Sequence, residues 1–376
     1  MSANADKKIR VLIVDDSTFM RKVLETIFNG EPNFQVIGQC KDGQEAVALA
    51  ESLQPDVITM DINMPHMNGL QATEKIMSSN PRPIVIVTSE SKEGAGGTLR
   101  ALELGAIEFV SKPSSGIDLD MNSVKEDLLR KTRMASKVRV VRTVARAKPA
   151  SAPANGVGGA AKFGAGARPA LAGSADQRFP VVVIGASTGG PATVMRLAPG
   201  FTRDFPAAVV LVLHMPQAFT TQFAAQLAEF TGIRVKEAEH NEALQTGTLY
   251  VCPGSKHMRV TPAGRVQLDD TSGRINGYLP CIDVTMESIA AYAGAMTIGA
   301  VLTGMAGDGA QGAKAIRTAR GLVLAQDEAT SVIFGMPAEA IKLNVVDQVL
   351  PIDDIYGAIE KRVIALTRAT PVGARG

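Results

Sequence analysis

The chain has 376 residues, 45% of them apolar, and a formal charge of +2, enough for two ordinary domains that each bury a core. No apolar run approaches the ~20 residues needed to span a bilayer, so no membrane insertion is expected, and a second half that is near-neutral and lacks a basic recognition helix speaks against nucleic acid as a partner. Cys40, Cys252 and Cys281 are far apart and odd in number, which indicates neither a disulfide framework nor a zinc site. The first residues, MSANADKKIRVLIVDD, pass from a short charged stretch into a strand-like run without a cleavable secretory pattern. A cytoplasmic protein is the expectation.

In chain order, IRVLIV opens a strand and is followed by a helix near 17–28. FQVIG and a helix near 43–52 come next, then DVITM, IVIVTS and AIEFVS, and an amphipathic helix near 118–136 closes the half. Five short β-branched-rich runs separated by helices predict a doubly wound parallel sheet, flavodoxin-like, over residues 8–136. Residues 137–178 are dominated by Ala, Gly and Pro and carry no apolar period, so they are expected to form a flexible linker. Eleven basic residues against the single acidic Asp176 lie between Leu128 and Arg178. That excess reads as a solvated helix end and tether, with a docking surface for an acidic partner as the alternative. From 179 to 370 the pattern returns as VVVIGAS, AVVLVLH, TIGAVLTG and LVLAQ, with hairpins expected near 247–253 and 257–268. This half is predicted to be a second doubly wound parallel-sheet domain.

Carboxylates stand at the ends of two predicted strands of the first half, Asp15 and Asp16 after IRVLIV and Asp61 after DVITM. Strand ends of a doubly wound sheet converge on a ligand crevice. Three carboxylates gathered there need a divalent cation, and oxygen-only ligands suit Mg²⁺. Thr88 and Lys112 end two further strands at the same rim, where a hydroxyl and an ammonium could meet phosphoryl oxygens. Through VDDS, MDINMPHMNG, VTS and SKP, residues 8–136 resemble the response-regulator receiver family. The resemblance implies that Asp61 accepts a phosphoryl group from a histidine kinase and that Asp15 and Asp16 bind Mg²⁺ with it. It further implies that Thr88 and Lys112 sense the phosphoryl group, that Phe109 is the switch aromatic, and that Lys112–Pro113 is a candidate cis bond. For Phe109 an ordinary core position is an equal reading.

In the second half, Gly185-Ala186-Ser187-Thr188-Gly189 fits a serine nucleophile on a tight strand-to-helix turn, with Pro191 in the first helical turn. A dinucleotide-binding turn would need G-x-G-x-x-G and an acidic residue about twenty positions on, and both are missing. Four histidines are available as the base. His66 belongs to the first half, His240 to an exposed loop, and His257 opens a hairpin strand. His214 alone ends a buried strand beside the candidate nucleophile. Asp308, just past TIGAVLTG, is the candidate third member, with an N-cap as the alternative. The loop Gly304–Gly307 could offer backbone N–H groups to an oxyanion.

The order Ser–His–Asp differs from that of the α/β-hydrolases. Together with IGASTGGP, LHMPQAFT, VCPGSKHM, VLTGMAGDGA and AQDEATSVIFGMP it resembles the chemotaxis protein-glutamate methylesterase family, from 179 to about 366. The resemblance implies a phosphorylation-regulated esterase acting on glutamate methyl esters of chemoreceptors, with glutaminase activity on the same proteins. It makes Ser187 the nucleophile, His214 the base and Asp308 the orienting acid, with Thr188 and Met305 supporting the oxyanion site. The phosphodonor would be the chemotaxis histidine kinase, Mg²⁺ would serve the receiver only, and the chain would be a monomer. Leu279-Pro280-Cys281 stands where many members read Arg-Pro-Ser, so a substrate contact from that arginine does not carry over. A regulator with a DNA-binding output and an esterase of small metabolites are the rival readings.

Overall fold

The computed structural model describes residues 8–88, 92–112, 121–138 and 179–369. The expected linker from 139 onward and the candidate cis bond at Pro113 lie outside them. The first unit alternates β1 (Ile9–Val14), α1 (Thr18–Asn29), β2 (Phe34–Cys40), α2 (Gly43–Leu53), β3 (Val57–Met60), α3 (Gly69–Ser79), β4 (Ile84–Thr88), α4 (Lys92–Glu103), β5 (Glu108–Ser111) and α5 (Met121–Ala135). Its five strands are all parallel in the order β2-β1-β3-β4-β5, the flavodoxin-like winding expected from the sequence. Local signals set the helix starts. The Ser17 and Asp42 side chains cap α1 and α2, and Asn68 with Gln71 closes a capping box on α3.

The second unit runs β6 (Val181–Ala186), α6 (Gly190–Leu197), β7 (Ala208–Leu213), α7 (Gln217–Phe230), β8 (Arg234–Glu237), β9 (Thr248–Val251), β10 (His257–Val260) and β11 (Val266–Asp269). It continues with α8 (Ile282–Ala293), β12 (Thr297–Val301), α9 (Ala310–Thr318), β13 (Leu322–Gln326), α10 (Met336–Lys342), β14 (Gln348–Leu350) and α11 (Ile352–Ala369). Seven parallel strands are ordered β14-β13-β12-β6-β7-β9-β8. The segment expected as a hairpin at 247–253 is instead β9, a fully buried strand paired in parallel with β7 and β8. Four residues between turns carry no period that separates a hairpin arm from an interior strand. The hairpin at β10–β11 is present.

The sheet is wound outward from β6, first toward β7 and β8, then back through β12 toward β14. Reversal at β6 and β12 opens a crevice beyond the carboxyl ends of these strands, where such folds bind ligands. The two units meet along α4 and β5 of the first and α6 and α7 of the second. Phe109 of β5 stacks on Phe219 of α7 with centroids 4.3 Å apart. The apolar cluster around them runs without interruption from Ile62, Leu99 and Leu102 to Met195 and Phe223.

Candidate active site

Ser187 follows β6 directly, His214 follows β7, and Asp308 lies in the loop leaving β12. The structure brings all three together. His214 Nδ1 is 3.1 Å from Ser187 Oγ, and His214 Nε2 is 2.8 Å from Asp308 Oδ2. The carboxylate can only accept when ionised, so the imidazole proton sits on Nε2 and leaves Nδ1 free to accept from the serine hydroxyl. Asp308 is not the cap of the helix that follows it, whose N-cap is Gly309. Its carboxylate instead faces the amino end of α8, accepting from Ile282 N at 2.7 Å and Asp283 N at 3.0 Å, with the Cys281 thiol 3.3 Å away. Burial works to raise the Asp308 pKa, but the His214 contact and those helix-end N–H groups hold it below the ordinary carboxylate value.

Close backbone approach shapes the elbow. Gly189 takes φ +72° at the N-cap of α6, a conformation glycine adopts without strain. A Cβ on Gly304 would stand 2.9 Å from the Ser187 Cβ. Ser187 N–H donates to Thr303 O at 3.0 Å, the Thr303 hydroxyl donates to Thr188 O at 2.9 Å, and Gln326 Oε1 accepts from Thr303 N at 2.8 Å. These partners, Thr303 and Gln326, are absent from the sequence reading; the motif AQDEATSVIFGMP is the one signal that could have pointed to Gln326. In the loop after β12, Gly304 N–H is taken by Ile333 O. Among the described residues the Met305 and Ala306 N–H groups have no acceptor, and Met305 is half-buried.

Thr188, expected as a support of the oxyanion site, is buried, and its hydroxyl donates to Glu108 Oε2 of the first unit at 2.8 Å. Glu108 is itself buried. Its other oxygen accepts from Phe109 N at 3.0 Å and lies 3.7 Å from Lys131 Nζ. Gln226 of α7 bonds Glu103 at the end of α4. Tyr278 stacks on the His214 ring. Neither Glu108, Phe219 nor Tyr278 is singled out by the sequence.

In the first unit, Asp15 and Asp61 are buried and Asp16 is exposed, and their carboxylate oxygens lie within 4.8 Å of one another. This oxygen-only set fits a hard divalent cation such as Mg²⁺. Lys112 Nζ bridges Asp15 Oδ2 at 2.9 Å and Asp61 Oδ2 at 2.8 Å. Burial raises the Asp61 pKa against the pull of Lys112, and the Asp15 charge adds to the rise. Burial opposes the charge on Lys112, yet its two carboxylate partners hold its pKa above the usual lysine value. Thr88 is buried at the end of β4, opposite Ser111, and its carbonyl accepts from Lys112 N at 2.6 Å. Phe109 is 2% exposed and lies under Phe219 and Lys131, so the candidate switch aromatic is an interface residue.

Fold and site together define a receiver joined to an α/β unit that carries a Ser–His–Asp constellation. Residues 11–122 match the response regulator receiver domain and 182–359 match the CheB methylesterase family. A protein-glutamate methylesterase/protein-glutamine glutaminase of Pyrococcus horikoshii is 40% identical over 371 residues, covering 95% of this chain and 94% of the relative. One from Symbiobacterium thermophilum is 39% identical over 371 residues, covering 96% and 99%. The solved Thermotoga maritima CheB methylesterase catalytic domain is 37% identical with a TM-score of 0.47, covering 49% of this chain and 98% of that one. The chain belongs to the protein-glutamate methylesterase/protein-glutamine glutaminase family, and its receiver places the enzyme under phosphorylation control. Among the described residues no helix is long and apolar enough to cross a membrane.

Proposed function

We propose that this enzyme hydrolyses γ-methyl esters of glutamates on chemotaxis receptors with Ser187 as nucleophile, His214 as general base and Asp308 as orienting carboxylate. The observation that carries the assignment is the pair of contacts of His214, 3.1 Å to Ser187 Oγ and 2.8 Å to Asp308 Oδ2. Ser187 Oγ attacks the ester carbonyl while Nδ1 takes its proton. The imidazolium, held by the ionised Asp308, passes that proton to the departing methoxide, so methanol leaves an acyl-enzyme. Water activated by the same Nδ1 releases the glutamate and restores the serine. A glutamine side chain passes through the same steps with ammonia as the leaving group. The Met305 and Ala306 amides, which lack acceptors, supply donors for the oxyanion.

Asp61 accepts the phosphoryl group from a chemotaxis histidine kinase. Asp15, Asp16 and Asp61 would hold Mg²⁺, which neutralises charge on the phosphoryl oxygens. Lys112 and Thr88 contact those oxygens. In the unphosphorylated chain the receiver lies across the esterase mouth, held by Glu108 on Thr188 and Phe109 on Phe219. Phosphoryl-Asp61 draws in Thr88 on the strand next to β5 and weakens that hold. Domain limits of 8–136 and 179–370 with a linker between are consistent with the two sheets. The test is methanol release from methylated receptor membranes. Ser187→Ala should lose on the order of 10⁶ in turnover without loss of melting temperature, and retention of most activity would sink the assignment.

A further inference from the structure

A single loop meets both His214 and Asp308, and part of it has no role in the mechanism above. Between β11 and α8 the chain makes a two-residue turn at Asn276 and Gly277, with φ of 53° and 87°. Ile275 and Tyr278 exchange both backbone hydrogen bonds at 3.0 Å. Paired positive φ values give a tight, stiff turn. Fully buried His257 clips the loop at both ends. Its Nε2 is 2.7 Å from Gly273 O, and Nδ1 accepts from Cys281 N at 3.2 Å. An amide nitrogen only donates, so His257 is neutral with its proton on Nε2. The loop delivers Tyr278 flat onto the catalytic imidazole, with ring centroids 4.5 Å apart and planes inclined by 13°. It then runs through Cys281 into the helix end that holds Asp308.

We propose that Tyr278 is a positioning residue of the triad, its ring fixing the plane of His214 so that Nδ1 and Nε2 reach Ser187 and Asp308 together, and that His257 sets the loop that carries it. This rests on the triad reading given above. The imidazole must make two in-plane hydrogen bonds in opposite directions, and a tilt about Cβ–Cγ weakens both. A flat ring on one face removes that freedom, and its π cloud faces the imidazolium when the proton arrives. The phenol stays neutral, because burial and then the Asp308 charge raise its pKa. Among the described residues the hydroxyl makes no hydrogen bond, so the stacking face is what acts and the hydroxyl is dispensable.

The experiment compares Tyr278→Phe, Tyr278→Ala and Ser187→Ala in the full chain, activated with a small acyl phosphate and Mg²⁺, by methanol release from methylated receptor membranes. Displacing a catalytic group by about 1 Å can cost roughly 10²-fold. Tyr278→Phe should keep kcat within about threefold of the parent. Tyr278→Ala should lower kcat by tenfold or more, on the order expected for a misplaced base, with KM and melting temperature little changed. His257→Ala should reproduce that kcat loss with Tyr278 still present. The proposal is overturned if Tyr278→Ala keeps kcat and raises only KM, which would make the ring a substrate wall, or if Tyr278→Phe fails as badly as Tyr278→Ala. Turnover surviving in Ser187→Ala would overturn the triad itself, a result distinct from either.

Discussion

Glu108→Ala in the full-length chain should raise the activity of the unphosphorylated enzyme. Glu108 is buried in β5, and its Oε2 takes the hydroxyl of Thr188, the residue next to the nucleophile, at 2.8 Å. A hydrogen bond to an ionised group contributes about 1.5–3 kcal/mol net. At about 1.4 kcal/mol per decade, its loss shifts the ratio of docked to undocked receiver by roughly 10- to 150-fold. The measured gain is capped by full release, which the phosphorylated parent approaches. Glu108 Oε1 also holds Phe109 N, so truncation loosens the end of β5 and adds to release. Glu108→Gln keeps the shape and exchanges a charged acceptor for a neutral one, and should fall between parent and Glu108→Ala. The assay is methanol release with and without phosphodonor, with melting temperature as a check on folding. A folded Glu108→Ala enzyme as slow as the parent, and activated by phosphorylation to the same degree, would refute the covering of the site by this contact.

Asp61→Asn should hold the full-length enzyme at its unphosphorylated rate, and phosphodonor with Mg²⁺ should leave methanol release unchanged. Asp308→Asn should lower turnover by about 10⁴-fold, since the amide favours the wrong imidazole tautomer; a variant that only melts earlier would make Asp308 a helix cap. Burial, reinforced by the Asp308 charge, pushes the Asp283 carboxyl up to about 6, above the ~3.9 of an unfolded chain. Between those values the folded state binds more protons, so parent stability falls as pH rises. Asp283→Asn should therefore melt higher than the parent at pH 7 and level with it below pH 4, and a variant that loses stability most at pH 7 would contradict the burial of that charge.

Strand ends were the most legible features. A parallel strand buried on both faces reads as a short β-branched run, and in a doubly wound sheet its carboxyl end is where ligands bind. Asp15, Asp61, Thr88, Ser187 and His214 could each be found that way. β9 was misread because TLYV is four residues between turns, too few for a period to show. β14, with its largely exposed Gln348–Leu350, gives a still weaker signal. The helix-end donors of Asp308 were hidden because they are backbone N–H groups of Ile282 and Asp283, which no side-chain pattern marks.

What no periodicity could reveal is contact between the two units. Phe109 reads from the sequence as a switch aromatic or a core residue and is buried in fact, but its neighbour is Phe219, more than a hundred positions away. Glu108 sits in a strand pattern where an acidic residue suggests an edge facing water, yet it is buried, with the Thr188 hydroxyl against its Oε2. A buried carboxylate is tolerated when its oxygens are hydrogen-bonded, and here one partner is intradomain and the other belongs to the catalytic elbow. Separation of the units would return that oxygen to water, so docking need not be strong to be specific. Such a contact suits a switch: its net energy is small enough for one phosphoryl group to outweigh, with couplings of about 1–3 kcal/mol being typical. With Asp61 as the proposed phosphoacceptor, Thr188, expected from the sequence to support the oxyanion site, would instead tie occupancy of the active-site rim to the state of the receiver through its bond to Glu108.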